Sequence, residues 1–414
     1  MNQIIIISFT FPPQYGIGGR RWAKFAKYFA RKELSVEVFT SPTYKVGSPW
    51  VDDVSGVKIV EVESGFPRVV RFGVSSLLDK VKYRLELLNL RKEVNGNYYD
   101  HSSMWHVKLL PALKKADLSR TIIIASAGPF SYLNDLLSLK KEHLSLRLVA
   151  DFRDPWTNNR TAFGYDSLSK KRLQFEKWKE AEVVKGFDLI VSVADPMTAY
   201  FQSLLPTEDA LKCITIPNGY DPEETIENTL KIKKNHKLNV CFVGTLYGKT
   251  FDSIRVFIKS LEGYEETIQF RFCGDMNLEA HDLLKNQTNV ELLGKLKAQE
   301  AKAIIAASDV CLLILTDDLT YSFSTKFCEY IQARKPIWII SKSGSTPDFV
   351  REHGIGFHSL PTLESIKQGL ENIRTSFDTI SYEGFNDSQF NLNTISEHYL
   401  NQLKKLTGDD ISQM

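Results

Sequence analysis

Short apolar runs alternate with longer amphipathic segments along nearly the whole chain, and this pattern constrains the fold most. The runs are rich in Ile, Val and Leu with few interposed polar residues, which is typical of strands buried on both faces of a parallel sheet. The predicted strands are 3–8, 35–40, 57–61, 121–126, 146–151, 188–193, 212–216, 238–243, 268–273, 289–293, 309–315 and 336–340. The amphipathic segments between them predict helices, so the expected fold class is α/β with right-handed βαβ units.

The alternation runs twice, which predicts two doubly wound, Rossmann-like domains. The first is expected over 1–220, a polar linker over 221–237, and the second over 238–385. The last segment, about 390–414, has a helical pattern and is expected to pack back onto the first domain. We expect the two domains to face each other across a cleft, because ligands of such sheets bind outside the carboxyl ends of the strands.

Charge and cysteine content exclude several classes of protein. The 52 basic and 50 acidic residues nearly cancel, so no nucleic-acid partner is expected. The sequence has neither a CxxC pair nor an HExxH motif, so a structural or catalytic zinc is not expected. Buried free thiols in a reducing compartment are expected for the five cysteines, which are Cys213, Cys241, Cys273, Cys311 and Cys328.

The hydropathy pattern predicts a cytoplasmic protein. The opening run of Ile4 to Ile7 is too short for a signal peptide, and no stretch reaches the roughly 18 apolar residues that a membrane span requires. Residues 64–95 are basic and amphipathic. They predict either a surface helix packed on the first domain or a peripheral contact with an anionic membrane or a lipid-phosphate acceptor.

A glycine-rich loop follows the first strand. Gly18 and Gly19 allow a ligand to approach the backbone closely, and the helix expected from Arg20 offers free N–H groups to a phosphate or a sugar hydroxyl. A purely structural turn is the alternative. A dinucleotide fingerprint is disfavoured, because Arg21 fills the third glycine position and Glu37 lies inside a strand rather than at its end.

Two further motifs follow predicted strands. In the run Asp151-Phe-Arg-Asp-Pro-Trp156, Arg153 is suited to binding phosphate or carboxylate, and an internal Arg–Asp pair is the alternative. Ser324 and Thr325 are capping residue types at the start of a predicted helix, and Glu329 lies one turn later. This arrangement suits a diphosphate at the helix start with a ribose diol against Glu329. A capped helix with a solvated Glu329 is the alternative.

These motifs together resemble the bacterial branch of the family 4 glycosyltransferases that carries the DFRDPW motif and has the GT-B fold. The resemblance includes Ser126-Ala-Gly-Pro129, Asp100, Trp105, Ile216 to Asp221, Phe242-Val-Gly244 and the helix opening at 321–329. It implies a retaining, metal-independent hexosyltransferase that uses no cofactor and takes a nucleotide-sugar donor as its substrate, with a UDP-sugar favoured. The implied acceptor is a glycan or a polyprenyl-linked intermediate of bacterial surface polysaccharide biosynthesis.

The resemblance also implies roles for individual residues. Arg153, Asp154, Lys249 and Lys326 are the expected catalytic residues, with Asp154 polarising the acceptor hydroxyl. The expected donor-binding residues are Gly18, Gly19, Thr245, Leu296, Tyr321, Ser324, Thr325 and Glu329.

The sequence departs from the family pattern at several of these positions. Tyr321 stands where a glutamate contacts the donor sugar, and Thr245 stands where an arginine binds the pyrophosphate. Arg153 occupies a position where the family often has a histidine. We hypothesise that Lys326 restores the charge lost at Thr245. Two alternatives remain open, a nucleotide-sugar 2-epimerase and a non-catalytic nucleotide-binding or scaffold subunit.

Overall fold

The structure is a computed structural model that describes residues 3–159, 164–226, 236–246, 251–316 and 322–408. The chain divides into two compact units. Unit 1 comprises Met1–Ile216 together with Ser396–Met414, and unit 2 comprises Pro217–Ile395. Each unit is described by itself below.

Unit 1 is built on a seven-stranded parallel sheet in the order β3-β2-β1-β4-β5-β6-β7. Its strands are β1 (Gln3–Ile7), β2 (Ser35–Thr40), β3 (Lys58–Glu61), β4 (Thr121–Ala127), β5 (Arg147–Phe152), β6 (Leu189–Ser192) and β7 (Cys213–Thr215). Its first seven helices are α1 (Arg20–Ala30), α2 (Arg68–Phe72), α3 (Leu77–Glu93), α4 (His106–Leu113), α5 (Tyr132–Glu142), α6 (Lys170–Gly186) and α7 (Asp195–Gln202).

Unit 2 is built on a six-stranded parallel sheet in the order β10-β9-β8-β11-β12-β13. Its strands are β8 (Leu238–Val243), β9 (Ile268–Cys273), β10 (Val290–Gly294), β11 (Val310–Ile314), β12 (Ile337–Ile340) and β13 (Gly356–Ser359). Its helices are α8 (Phe251–Ser260), α9 (Leu278–Leu284), α10 (Ala298–Ala307), α11 (Thr325–Gln332), α12 (Ser345–Glu352) and α13 (Leu363–Ser376). The final helix, α14 (Leu392–Thr407), starts in unit 2 and continues into unit 1.

The prediction of two doubly wound α/β sheets is confirmed, and burial explains why the strands read as continuous apolar runs. In β11, Cys311 and Leu313 enter one core cluster, whereas Val310 and Leu312 enter a second cluster. Successive side chains of a strand point to opposite faces, so both faces of this sheet are covered by helices. A strand of this kind has no solvent face and needs no polar alternation.

Each sheet has one point where the strand order reverses. In unit 1 this point lies between β1 and β4, and in unit 2 it lies between β8 and β11. The loops that leave neighbouring strands there diverge to opposite faces of the sheet and leave a crevice at the carboxyl edge. The glycine-rich loop follows β1, and the loop before α11 follows β11, so both motifs lie beside such a point.

The boundary between the units differs from the predicted one at residue 220. The backbone N–H of Tyr220 donates to the carbonyl of Phe390 over 2.8 Å, and the N–H of Leu392 donates to the carbonyl of Tyr220 over 3.0 Å. A Cβ added at Gly219 would lie 2.5 Å from the same Phe390 carbonyl oxygen. These contacts place 217–220 in unit 2 and extend that unit past 385 to Ile395.

The predicted linker is described only over 221–226 and 236–237, and its first part packs on unit 2. The side-chain amide of Gln332 in α11 donates to the carbonyls of Asp221 and Glu224 over 3.1 and 2.9 Å. In unit 1, Tyr399 of α14 packs edge-on against Trp22 and Phe25 of α1, with ring centroids 5.8 and 5.3 Å apart.

Sequence reasoning overlooked the strand β13. The strand β13 reads Gly-Phe-His-Ser and lacks an apolar run, and pairing with β12 alone defines it. All five cysteines are buried and free, as predicted. Within the described residues, no helix combines the length and the apolar character needed to cross a bilayer.

Candidate functional site

The glycine-rich loop of unit 1 folds tightly over the end of β1. A Cβ at Gly19 would lie 3.1 Å from the carbonyl oxygen of Thr10 and 3.2 Å from the Cα of Phe11, so only glycine fits comfortably there. The carbonyl oxygen of Gly18 accepts a hydrogen bond of 2.6 Å from Nη1 of Arg153. The structure therefore brings together Gly18, Gly19 and Arg153, three of the residues predicted for the site.

Arg153 bridges the loops that follow three neighbouring strands. It leaves the end of β5, reaches Gly18 after β1, and donates from Nη2 to the carbonyl of Gly128 after β4 over 3.2 Å. Its buried Nε finds no hydrogen-bond partner among the described residues. In that part of the chain Arg153 makes no ion pair, so the alternative of an internal Arg153–Asp pair is wrong.

Asp151 pairs with Arg21 instead. The guanidinium donates from Nε to Oδ1 over 3.0 Å and from Nη2 to Oδ2 over 2.9 Å, and both side chains are almost fully buried. The same Nη2 also donates to the carbonyl of Ile216 over 2.9 Å. Arg21 thus anchors the start of α1 to the ends of β5 and β7. This role explains why an arginine, and not a glycine, occupies the third glycine position of the dinucleotide fingerprint.

Asp154 differs from Asp151 in its surroundings. Its side chain is half-buried. Within the described ranges its carboxylate has no hydrogen-bond or ion-pair partner, so both oxygens can accept from a ligand. Arg153 and Asp154 therefore present opposite charges side by side at the carboxyl edge of the unit 1 sheet.

A buried glutamate holds the end of the same motif. Trp156 stacks on Phe130 with centroids 5.4 Å apart, and its Nε1–H donates to Oε2 of Glu176 over 2.9 Å. The other oxygen of Glu176 accepts from the backbone N–H of Asn97 and pairs with Lys179 at 2.6 Å. These bonds satisfy a carboxylate that would otherwise be costly to bury. Sequence reasoning missed Glu176, because its charge-rich surroundings on α6 indicate a solvated face.

We expect Trp156→Phe to lower the free energy of unfolding by about 1–3 kcal/mol more than Trp22→Phe does. Both tryptophans are fully buried, but Nε1 of Trp22 has no hydrogen-bond partner in the described part of the chain. The matched pair removes the same atoms, so the difference measures the bond to Glu176. Urea denaturation of the two variants checks it, and equal losses would contradict the proposed clamp.

Asp100 and Trp105, two residues of the family resemblance, also have hydrogen-bond partners. The carboxylate of Asp100 accepts from Ser102 and from the backbone N–H groups of Phe130 and Ser131, at 2.6 to 3.0 Å. Nε1 of Trp105 donates to the carbonyl of Val62 over 2.9 Å. The bonds from Phe130 and Ser131 to Asp100 fix the loop between β4 and α5, which carries the Gly128 carbonyl that Arg153 contacts.

In unit 2 the loops after three strands pack against one another. A Cβ at Gly274, whose φ is +136°, would lie 1.8 Å from the carbonyl oxygen of Gly244. The N–H of Gly244 donates to the Cys273 carbonyl over 2.9 Å, and the N–H of Gly274 donates to the Gly294 carbonyl over 2.8 Å. Glycine is required at 274 by this close approach, and the three loops form one compact edge.

Leu296 and Lys326 both influence the thiol of Cys273, at the end of β9. Burial raises the pKa of the Cys273 thiol, and the charge of Lys326 and a hydrogen bond from the backbone N–H of Leu296 act in the opposite direction. Both groups therefore lie within electrostatic or hydrogen-bonding reach of the same sulfur. Leu296, after β10, packs on the core cluster that contains Cys273 and Phe327 of α11, the helix that carries Lys326.

The start of α11 is held from three sides. Ser324 caps the helix by accepting from the N–H of Phe327 over 3.2 Å. Nδ2 of Asn218 donates to the Phe323 carbonyl over 3.2 Å, and Oγ1 of Thr346 donates to the Ser322 carbonyl over 3.1 Å. Thr325 is the first helical residue, so it lies where free N–H groups and the positive end of the helix dipole concentrate.

Lys326 and Glu329 form an ion pair in the first turn of α11. Nζ of Lys326 lies 2.7 Å from Oε2 of Glu329, and the lysine side chain is 32% exposed whereas the glutamate side chain is 8% exposed. The alternative of a solvated Glu329 is therefore wrong. The pair holds Lys326 beside the helix start, with 32% of its side chain still exposed.

The remaining predicted site residues are Thr245, Lys249 and Tyr321. Thr245 is described and exposed. Lys249 and Tyr321 fall outside the described residues. Sequence reasoning missed Thr316, whose buried Oγ1 at the end of β11 has no hydrogen-bond partner among the described residues. In the same part of the chain, no group of three or more His, Cys, Asp or Glu side chains is placed to hold a metal ion.

No protein-family model and no curated protein sequence matches this chain. Solved structures do match it over nearly the full length. A glycosyltransferase from Rickettsia africae has a TM-score of 0.63 at 14% identity and covers 99% of each chain. Anabaena Alr3699/HepE, in complex with UDP and glucose, has a TM-score of 0.63 at 14% identity, covering 98% of this chain and 100% of that chain.

A third solved structure is WaaG, a glycosyltransferase involved in lipopolysaccharide biosynthesis. It has a TM-score of 0.59 at 14% identity and covers 98% of this chain and 100% of its own. The chain has the GT-B fold. At this level of identity the likeness concerns the fold, since one fold hosts many functions. Function must therefore be argued from the residues at the carboxyl edges of the two GT-B sheets.

Proposed function

We propose that this protein is a glycosyltransferase of family 4 that transfers a hexose from a nucleotide-diphosphate sugar with retention of configuration. The observation that carries the proposal is the start of α11, where Ser324 caps the helix end and Lys326 pairs with Glu329 in the first turn. A helix N-terminus and a nearby ammonium group together suit a diphosphate. A buried carboxylate one turn later suits a ribose diol.

The chemistry of the leaving group supports Lys326 as a catalytic residue. Negative charge develops on the diphosphate as the bond to the sugar breaks, and N–H groups and cations fixed in advance stabilise it without reorganisation. Ser324, Thr325 and Lys326 offer such groups, and Lys249 is proposed to add a second cation. This set is proposed to act without a metal. A UDP-sugar is the favoured donor, and HepE was solved with UDP and glucose.

On unit 1, Gly18, Gly19, Arg153 and Asp154 are proposed to serve the acceptor side. The Asp154 carboxylate has no partner in the described part of the chain and is suited to polarising an acceptor hydroxyl. The Arg153 guanidinium is suited to holding an acceptor phosphate or carboxylate. The proposed acceptor is a glycan or polyprenyl-linked intermediate of bacterial surface polysaccharide, modified on the cytoplasmic side of the membrane.

The donor site is tested by thermal unfolding of the full chain with UDP, ADP, GDP and their sugars. We expect UDP to stabilise unit 2, by about 2.7 kcal/mol at a hundredfold excess over its dissociation constant. Analysis of products with the best nucleotide sugar then separates transfer or hydrolysis from epimerisation and from binding alone. If no nucleoside diphosphate raises the unfolding temperature, the proposed donor site is wrong.

A further inference from the structure

Arg71 is a half-buried arginine of α2 at the carboxyl edge of the unit 1 sheet. Its Nη2 donates to Oγ of Ser41, just after β2, over 2.7 Å. Its guanidinium carbon lies 4.6 Å from the ring centroid of Phe9, shortly after β1. Arg71 therefore contacts the loops that leave two neighbouring strands, although both loops are distant from it in sequence.

Three aromatic rings pack against the guanidinium. The ring centroids of Phe9, Tyr44 and Phe72 lie 4.6, 5.1 and 4.8 Å from its carbon. Aromatic faces attract a cation electrostatically. Unlike a carboxylate partner, they use none of its N–H groups and leave its charge uncancelled. The rings therefore fix the position of Arg71 while its positive charge remains available to a ligand.

The described residues give Arg71 no ion-pair partner. Burial lowers the pKa of Arg71, and Tyr44 and Glu63 act in the opposite direction. The Glu63 carboxylate, however, accepts a hydrogen bond from the Tyr44 hydroxyl over 3.2 Å. The buried Nη1 of Arg71 also finds no hydrogen-bond partner in the described part of the chain. A half-buried cation that lacks both is costly, and this cost points to an anionic ligand.

Other buried basic side chains of unit 1 do have counter-charges. Lys24 pairs with Asp53 at 2.6 Å, and Lys179 pairs with Glu176 at 2.6 Å. Among the described residues, Arg71 instead shares the absence of an ion pair with Arg153, the guanidinium already proposed for the acceptor side.

Arg71 and Arg153 also border the same loop after β1. Arg153 donates to the carbonyl of Gly18 over 2.6 Å. A Cβ added at Gly18 would lie 3.8 Å from Nη1 of Arg153 and 3.6 Å from Cβ of Thr10. Thr10 follows Phe9, whose ring packs on Arg71. Two guanidinium groups without counter-charges therefore lie along one loop, at the edge proposed for the acceptor.

We propose that Arg71 is an acceptor-binding residue that, together with Arg153, holds a phosphate group of the acceptor. This step rests on the proposed function, which assigns this edge of unit 1 to the acceptor. A phosphate presents oxygens to guanidinium groups from several directions, and such charge-assisted hydrogen bonds are strong. A carboxylate fits less well, because a single guanidinium fork already occupies both of its oxygens.

The test is isothermal titration calorimetry of the full chain in saturating UDP, with pyrophosphate, phosphate and glucuronate as probes. UDP fills the proposed donor site, so an added phosphate probe reports on unit 1. We expect the phosphate probes to bind and glucuronate to bind about tenfold more weakly. Tighter binding of pyrophosphate indicates a diphosphate-linked acceptor, and tighter binding of phosphate indicates a phosphorylated sugar.

Arg71→Met should weaken binding of the phosphate probe by about 10- to 100-fold, because charge-assisted hydrogen bonds are lost. Methionine keeps a flexible apolar side chain among the three rings. It also removes a half-buried charge without a counter-charge, so its unfolding temperature without ligand should equal or exceed that of the unchanged protein. A lower unfolding temperature with unchanged probe binding would make Arg71 a structural residue and overturn the proposal.

Arg68→Met is the matched control. Arg68 also lies on α2, and its guanidinium lies 5.0 Å from the same Tyr44 ring, but it is exposed. The control removes the same charge and should change the affinity for the probe less than about threefold. Comparable losses in both variants would indicate only general surface charge and overturn the proposal. Equal binding of glucuronate, or no binding of either phosphate probe, would also overturn it.

Two further variants complete the test. Arg153→Met should weaken probe binding as Arg71→Met does, and unchanged binding would overturn the shared site. Arg71→Lys keeps the charge but loses the planar fork, so it should weaken binding about tenfold. This variant keeps the test decisive if Arg71→Met does not fold.

The UDP-induced thermal shift, measured on the same variants, separates this proposal from the proposed function. Arg71→Met should keep that shift while its affinity for the phosphate probe falls. A UDP shift without binding of either phosphate probe would leave the donor site intact and refute the phosphate site at Arg71. If UDP causes no shift but Arg71→Met still weakens pyrophosphate binding, the donor site is refuted and the phosphate site is supported.

Discussion

Lys326→Ala is expected to lower kcat/KM for sugar transfer by about 100- to 1,000-fold, the effect of removing one fixed group that stabilises developing charge. In the structure Lys326 lies 2.7 Å from Glu329, in the first turn of α11. Under the proposed function, its removal takes a cation from the leaving diphosphate. It also leaves the buried Glu329 carboxylate unneutralised beside that diphosphate, so both consequences raise the barrier.

Steady-state kinetics with a UDP-sugar and the UDP-induced thermal shift measure this effect. Lys326→Arg keeps the charge and should retain most of the activity. Lys285→Ala is the matched control, because Lys285, directly after α9, pairs with Asp282 of that helix at the same three-residue spacing in an exposed position. Comparable losses in Lys326→Ala and Lys285→Ala would show that Lys326 has no special role in the reaction.

Asp151→Ala is expected to lower the free energy of unfolding by about 3–5 kcal/mol, because it leaves the buried guanidinium of Arg21 without its carboxylate. The pair makes two hydrogen bonds of 2.9 and 3.0 Å, and the two side chains are 4% and 0% exposed. The loss should loosen α1 from β5 and disturb the loop with Gly18 and Arg153. We therefore expect reduced transfer activity as well.

Denaturant unfolding followed by circular dichroism checks this prediction. The double variant Arg21→Met, Asp151→Ala should be less destabilised than Asp151→Ala alone, because no unpaired charge remains buried. Glu142→Ala is the control, since its ion pair with Lys114 is exposed and should contribute less than about 1 kcal/mol. If Asp151→Ala unfolds like Glu142→Ala, the pair does not anchor this edge of unit 1.

Only part of the candidate site could be predicted from the sequence. The capping residues before α11 and the glycines after β1 carry local signals, and the structure places them at the carboxyl edges where the motifs predicted them. Asp151, Arg153 and Asp154 are charged residues of one short motif, but their surroundings in the structure differ. Asp151 pairs with Arg21, 130 residues away, and Arg153 contacts two backbone carbonyls. Partners this distant in sequence leave no local pattern.

For the buried glutamate of α6, the local sequence indicates the wrong environment. Glu176 stands among lysines and glutamates, a composition typical of a solvated face, yet it is fully buried and holds Trp156. Only the packing of α6 against the loop after β5 turns this charge inward. The leucines of α3 are a similar case, because the sequence shows leucines around the whole helix and only the structure shows which of them remain exposed.

The sequence alone determined the two α/β sheets, because burial of a strand on both faces requires an uninterrupted apolar run and each chain segment carries that requirement locally. It also determined the helix caps and tight turns, which depend on neighbouring residues. The tertiary structure decided which charged side chains pair, which glutamates are buried and which leucines remain exposed to solvent. Those outcomes depend on contacts between segments far apart in sequence, whose free energies no single segment encodes.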